Sequence, residues 1–159
     1  MQRIATAVVL IILGIIVLAF PLLGVIPLSI LTGVAVLILG IGLIFTGIMS
    51  LGESLALGIV ELILGILAII LGIGFLFNPA LFSFVAALFV FIAGIFLVIA
   101  GIVGIATKAG GSRWSGVVAL ILGIIYIIVA YWIKDPLYLG ILIGLWLLIS
   151  GILMLFQRD

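Results

Sequence analysis

Few residues of this chain have side chains that could carry chemistry inside its apolar segments. Glu61 is the one ionisable residue clearly within an apolar run, and that run begins at Leu55. A charged carboxylate costs about 2.5 kcal/mol or more near the centre of a bilayer, so Glu61 requires a partner or a proton. It follows Gly58 by three residues and precedes Gly65 by four. This spacing places the carboxylate on the glycine-bearing face of a helix, pointing away from lipid.

Two interpretations of Glu61 remain open. Intramembrane carboxylates often belong to ion or proton pathways, which would make Glu61 an ion or proton-responsive site. Alternatively, Glu61 lies near the cytoplasmic boundary, bonds to a loop cation such as Lys108 or Arg113 or to the backbone at a helix end, and fixes the helix register. Tyr126 is a second candidate, because its hydroxyl could donate a hydrogen bond within a bundle, although filling the interior is its more ordinary role.

The sequence predicts no catalytic residues and no metal or cofactor site. It contains no cysteine and no histidine, which removes thiolate chemistry, imidazole proton relays and most zinc or haem sites. Serine, threonine and tyrosine occur, but no base stands near a nucleophile in the pattern that covalent catalysis needs. A net charge of +1 without a cluster of Lys or Arg also excludes nucleic acid as a partner. We therefore do not expect an enzyme.

The elements that position these residues are expected to lie in a membrane. Hydrophobic residues make up 70% of the chain and charged residues 6%, whereas a soluble domain carries about 25% charged residues. The apolar runs repeatedly reach the roughly 18 residues that distinguish membrane spans. They also lack the alternation of barrel strands, so helices are the only way to satisfy their backbone in lipid. The prediction is an all-α integral membrane protein whose partner is the lipid bilayer.

Five breaks in the apolar pattern predict a bundle of six transmembrane helices. Prolines lie near three of the breaks, at Pro27, Pro79 and Pro136, where a helix end would make the missing N–H harmless. The predicted spans are residues 4–20, 28–49, 55–77, 80–106, 114–133 and 137–156.

The few basic residues predict the orientation in a cell membrane. Arg3, Lys108, Arg113 and Arg158 belong to the face that holds the N-terminus, and the opposite face holds Lys134. Because cytoplasmic loops carry the excess of Lys and Arg, both termini should be cytoplasmic. Aromatic residues expected at the membrane interfaces are Trp114, Tyr131, Trp132 and Tyr138.

Small residues recur at intervals of seven in every predicted span. Helices in lipid associate through close backbone approach at small residues, and a repeat of seven implies left-handed crossings near about +20°. We predict helix packing along seams formed by Gly14, Gly40, Gly47, Gly58, Gly65, Gly72, Gly94, Gly101, Gly116, Gly123, Gly144 and Gly151.

The spans also pair into three similar units within a single transmembrane domain, residues 1–159. The predicted hairpin repeats cover residues 3–50, 54–107 and 113–157. Each contains two spans, so all three enter the membrane from the same side as parallel repeats. A pseudo-threefold arrangement is therefore expected.

Two runs in these repeats resemble a known family. Gly58-Ile-Val-Glu-Leu-Ile-Leu-Gly65 and Gly116-Val-Val-Ala-Leu-Ile-Leu-Gly123 are each followed by a proline and then by a second pair of glycines seven apart. This pattern, over roughly residues 3–156, is similar to the short-repeat membrane domain of the HdeD-like family. The resemblance implies a multipass inner-membrane protein linked to acid or stress resistance, and it implies no catalytic residues.

Two function classes follow. The leading hypothesis is a noncatalytic HdeD-like membrane protein that acts through its folded bundle, with a role in acid or stress resistance. The alternative is a small proton or ion channel or transporter subunit that uses Glu61, and a homo-oligomer could assemble such a path from several copies. A continuous aqueous cavity at Glu61 would favour transport, whereas a short sealed hydrogen bond would favour the noncatalytic bundle.

Overall fold

The protein is all-α, as predicted, with six helices in the part of the chain that the structure describes. A computed structural model gives the conformation of residues 2–107 and 113–156. The helices are α1 Gln2–Ala19, α2 Leu22–Ser50, α3 Leu55–Phe77, α4 Pro79–Thr107, α5 Arg113–Ile133 and α6 Pro136–Phe156.

Five of these helices, α2 to α6, are long and apolar enough to cross a membrane. The apolar part of α1, Ile4–Ala19, is shorter, about 24 Å at 1.5 Å per residue. However, α1 packs along α6, with Ala7 beside Gly151 and Pro21 beside Gly140. Because these contacts extend over most of the spanning helix α6, α1 covers nearly the same depth.

Two of the predicted breaks at prolines are confirmed, and in both cases the proline begins the next helix. Pro79 and Pro136 are the first residues of α4 and α6, where a missing N–H costs nothing. The residue before each proline caps the helix: the Asn78 side-chain oxygen accepts from the Ala80 N–H at 3.0 Å, and the Asp135 carboxylate accepts from the Leu137 N–H at 3.0 Å.

The prediction for Pro27 is wrong. A break was expected from Pro21 to Pro27, with the next span beginning at residue 28, but α2 begins at Leu22 and Pro27 lies inside it. Non-helical backbone facing lipid would leave several N–H and C=O groups unsatisfied, whereas a proline within a helix removes a single backbone hydrogen bond. Continuing the helix through Pro27 is therefore the cheaper arrangement.

The chain divides into two compact units. Unit 2, Leu23–Phe82, contains most of α2, all of α3 and the start of α4. Unit 1, Met1–Leu22 with Ser83–Asp159, contains the described parts of α1, α5 and α6 and most of α4.

Unit 2 is held together by a glycine seam between α2 and α3. A methyl group placed at Gly40 would lie 2.9 Å from the carbonyl oxygen of Gly65, and one placed at Gly65 would lie 2.9 Å from the carbonyl oxygen of Gly40. The same reciprocal approach joins Gly33 to Gly72 and Gly47 to Gly58. The two backbones therefore touch at every seventh residue and leave no room for a side chain.

Unit 1 contains two further seams of this kind. Between α4 and α5, methyl groups at Gly94 and Gly123 would lie 3.0 and 2.8 Å from the carbonyl oxygen of the opposite glycine. Between α1 and α6, a methyl group at Gly151 would lie 3.0 Å from the Ala7 carbonyl oxygen, and one at Gly14 would lie 2.8 Å from the Leu148 nitrogen. In terms of the predicted hairpins, the α2–α3 and α4–α5 seams each join the second helix of one hairpin to the first helix of the next.

Substitution of two glycines in α2 tests this packing. Gly40→Ala should lower the free energy of unfolding by roughly 1–3 kcal/mol, because the added methyl meets the rigid Gly65 backbone. Gly42→Ala is the matched control, since nothing lies within 4 Å of its added methyl, and it should be neutral or stabilising by up to about 1 kcal/mol. Denaturant unfolding in detergent micelles measures both, and equal effects would contradict the seam.

Candidate functional site

The carboxylate of Glu61 forms a short hydrogen bond with the end of the neighbouring helix. The Ser50 hydroxyl donates to Glu61 Oε2 at 2.8 Å, and both side chains are half-buried. Ser50 is the last residue of α2, and Glu61 lies in the second turn of α3. A hydrogen bond of this kind contributes about 0.5–3 kcal/mol, and it supplies the partner that Glu61 requires inside a span.

The fold brings these two side chains together through the end of the α2–α3 seam. Gly47 and Gly58 hold the helices in backbone contact one turn away. The intervening turn is tight, with the Ser54 N–H donating to the Ser50 carbonyl at 2.8 Å. Since side chains tilt toward the N-terminus of their helix, Glu61 reaches back toward the turn, where Ser50 lies.

Ser50 was not among the partners predicted for Glu61. Lys108 falls outside the described residues. The signal that identifies Ser50 is its position three residues after Gly47, combined with that of Glu61 three residues after Gly58. These positions become informative only once Gly47 and Gly58 are known to face each other.

Tyr126 lies apart from the seam that its helix forms. Its side chain is 42% exposed, and the buried residues of α5 are Gly116, Gly123, Ala130 and Ile133. Trp146 of α6, the other aromatic residue deep within a predicted span, is 69% exposed. Both rings face outward because the seam is a narrow stripe of backbone contact, and residues beside the stripe stay on the surface of the unit.

The other polar side chains with known bonds are satisfied locally. The Ser29 hydroxyl, fully buried, donates to the Phe75 carbonyl oxygen at 2.5 Å and links α2 to α3. Thr46 and Thr107 donate to carbonyl oxygens of their own helices. Among the described residues, every buried side-chain nitrogen or oxygen has a hydrogen-bond partner.

Two clefts lie on unit 1, and neither is lined by Glu61. One, of about 760 Å³, is formed by α5, α6 and the turn between them. The other, of about 260 Å³, lies between α4 and α5 and includes Phe84 and Phe91. Tyr131 and Lys134 line both clefts. Most of the remaining lining residues are apolar, so neither cleft resembles a hydrated pore.

All twelve glycines of the predicted seams are buried at the helix contacts, and further glycines belong to the same packing. Gly33 extends the α2–α3 seam, and Gly104 lies against Gly116. Gly140 lies against the carbonyl group of Pro21 so closely that no larger residue could replace it without movement. The spacing of seven includes Gly33, and it relates Gly104 to Gly111, whereas Gly140 lies four residues from the seam position Gly144.

Comparison with known proteins identifies a repeat in the chain. The sequence model of a family described as a short repeat of unknown function (DUF308) matches residues 5–77 and again residues 63–133. No curated protein and no solved structure matches the chain. The first match contains the whole α2–α3 seam, and the second contains the whole α4–α5 seam. The first residues of the two matches are separated by the same number of residues as Gly65 and Gly123, which occupy corresponding positions in the repeat.

The Ser50 to Glu61 bond can be tested by unfolding measurements. Ser50→Ala should lower the free energy of unfolding by about 1–3 kcal/mol, because the carboxylate loses its donor in a half-buried position. Glu61→Gln retains an acceptor and should change stability by about 1 kcal/mol or less.

Thr46→Ala is the matched control, since it removes a hydroxyl that bonds within its own helix. In the Glu61→Gln background, the effect of Ser50→Ala should shrink. If Ser50→Ala cost no more than Thr46→Ala, the bond would not hold Glu61 in place.

Proposed function

Since the chain belongs to the family of short-repeat proteins of unknown function (DUF308), we propose that it is a noncatalytic multipass membrane protein whose packed bundle is itself the functional unit. One observation carries this proposal: the single ionisable side chain well inside a span, Glu61, ends in a 2.8 Å bond to Ser50. A translocation path would need a more continuous polar lining than such a bond provides. We therefore propose a sealed bundle, meaning one that conducts neither ions nor protons.

The proposed location is the cell membrane with both termini at the cytoplasmic face. The lengths and apolar character of the helices support a location in a membrane. The orientation rests on the excess of basic residues at that face, where Arg3, Lys108, Arg113 and Arg158 stand against Lys134 alone.

Acid or stress resistance is the proposed physiological role. It rests on the resemblance of the Gly58 to Gly65 run to the HdeD-like pattern and on the chemistry of the seams. Contacts between glycine backbones contain no group that titrates, so acidification does not weaken them. The seams between the helices would therefore keep their contacts at a pH where carboxylates become protonated.

Proton flux in reconstituted vesicles tests the sealed bundle. With an imposed pH gradient and a valinomycin-clamped potential, vesicles containing the wild-type protein should leak protons no faster than protein-free vesicles. Glu61→Gln should give the same result, because the carboxylate belongs to no path. Flux in the wild type that Glu61→Gln abolishes would replace this proposal with a small conducting protein.

Survival of cells at low pH tests the physiological role. Cells producing the wild-type protein should survive acid exposure better than cells without it, and Gly42→Leu should retain this advantage. Gly40→Leu should lose it, because the larger side chain separates α2 from α3. Immunoblots must show comparable wild-type and Gly42→Leu levels, and equal survival with and without the wild-type protein would remove acid resistance from the proposal.

A further inference from the structure

The larger cleft of unit 1, here called the α5–α6 cleft, has the size and construction of a ligand site. Its volume is about 760 Å³, within the roughly 300–1,000 Å³ of ordinary small-molecule pockets. Ile141, Leu142 and Leu145 of α6 form one wall, and Val129 and Ile133 of α5 contribute to the other. The wall is therefore apolar along more than one helical turn.

The glycine seams explain why this cleft exists. Although a tight turn joins α5 to α6, α6 packs along α1, and its contact with α5 is brief. The α4–α5 seam holds α5 against a different partner, through Gly94 and Gly123. Two helices fixed to different neighbours diverge from their common turn, and the cleft is the space between them.

The end of the cleft at the turn carries aromatic and charged groups. The rings of Trp132 and Tyr138, one from each helix, lie with centroids 6.4 Å apart, and both side chains are at least half exposed. The Lys134 ammonium lies 4.0 Å from the centroid of the Tyr131 ring. Tyrosine and tryptophan favour the headgroup level of a bilayer, so this end of the cleft lies at that level.

Lys134 keeps its charge available for an anion. The neighbouring carboxylate, Asp135, accepts a hydrogen bond from the Leu137 N–H at the start of α6, where the helix dipole also favours negative charge. In the described part of the chain, the Lys134 ammonium contacts the Tyr131 ring and forms no ion pair. A cation that keeps its donors free is suited to binding a phosphate.

We propose that the α5–α6 cleft binds one glycerophospholipid from the adjoining membrane leaflet. One acyl chain lies along Ile141, Leu142 and Leu145, and the phosphate lies beside Lys134. The order of the groups carries the assignment: an apolar wall, then an aromatic rim, then a cation, which is the order of acyl chain, interface and phosphate in a phospholipid. Unlike lipid that contacts a single helix, this molecule would contact both α5 and α6.

Native mass spectrometry of the full chain tests the site. The delipidated protein in detergent is titrated with dioleoylphosphatidylglycerol, and one tightly bound lipid per chain is expected. Dioleoylglycerol, which has the same acyl chains and no phosphate, should bind about tenfold more weakly, as expected for the loss of one charge-assisted contact. Lys134→Met should weaken phosphatidylglycerol binding by about the same factor and leave dioleoylglycerol unchanged.

Leu142→Trp should abolish the bound lipid by filling the cleft, whereas Leu153→Trp, also exposed on α6 but outside the cleft lining, should retain it. Circular dichroism checks that each variant is folded. If Leu142→Trp does not fold, Lys134→Met still tests the proposal, because Lys134 lies in the turn, outside the glycine seams. Equal binding of both lipids to the wild type, or equal loss in Leu142→Trp and Leu153→Trp, would overturn the proposal.

Discussion

The fold depends on the contact of one helix backbone with another. In lipid, apolar side chains gain nothing by leaving the solvent, because the solvent is equally apolar. Attraction between helices must come from close packing of their backbones, which requires a row of glycines or other small residues along the contact. The seams of α2 with α3, α4 with α5 and α1 with α6 are three such contacts. Polar side chains add single bonds to this framework, as Ser29 does at the Phe75 carbonyl.

The sequence predicted the features that depend on local chemistry. The breaks at Pro79 and Pro136 were predicted because a proline lacks the N–H that a helix interior needs, and its absence costs nothing at a helix end. The spacing of seven identified glycines that lie at helix contacts. Both signals are contained within a few residues of the chain, so no knowledge of the tertiary structure was required.

Features that depend on which helices meet could not be predicted in the same way. Every span carries the same spacing, so the pattern shows that a helix packs by glycine and not which partner it meets. The partner of Glu61 was missed for this reason, because Ser50 becomes its neighbour only through the pairing of Gly47 with Gly58. Pro27 was misjudged because a proline was taken to mark a helix end, whereas α2 continues through it at the cost of a single backbone hydrogen bond.

The contact of α1 with α6 has a consequence for how the protein is made. The α2–α3 and α4–α5 seams join neighbours in the chain and can form as soon as each pair has left the ribosome. Helix α1 meets its partner α6 only after five more helices have been synthesised, which takes on the order of 10 s at about 5–20 residues per second. Ala7 and Gly14 lack their α6 partner during that interval, so the α1–α6 seam is the last of the three to form.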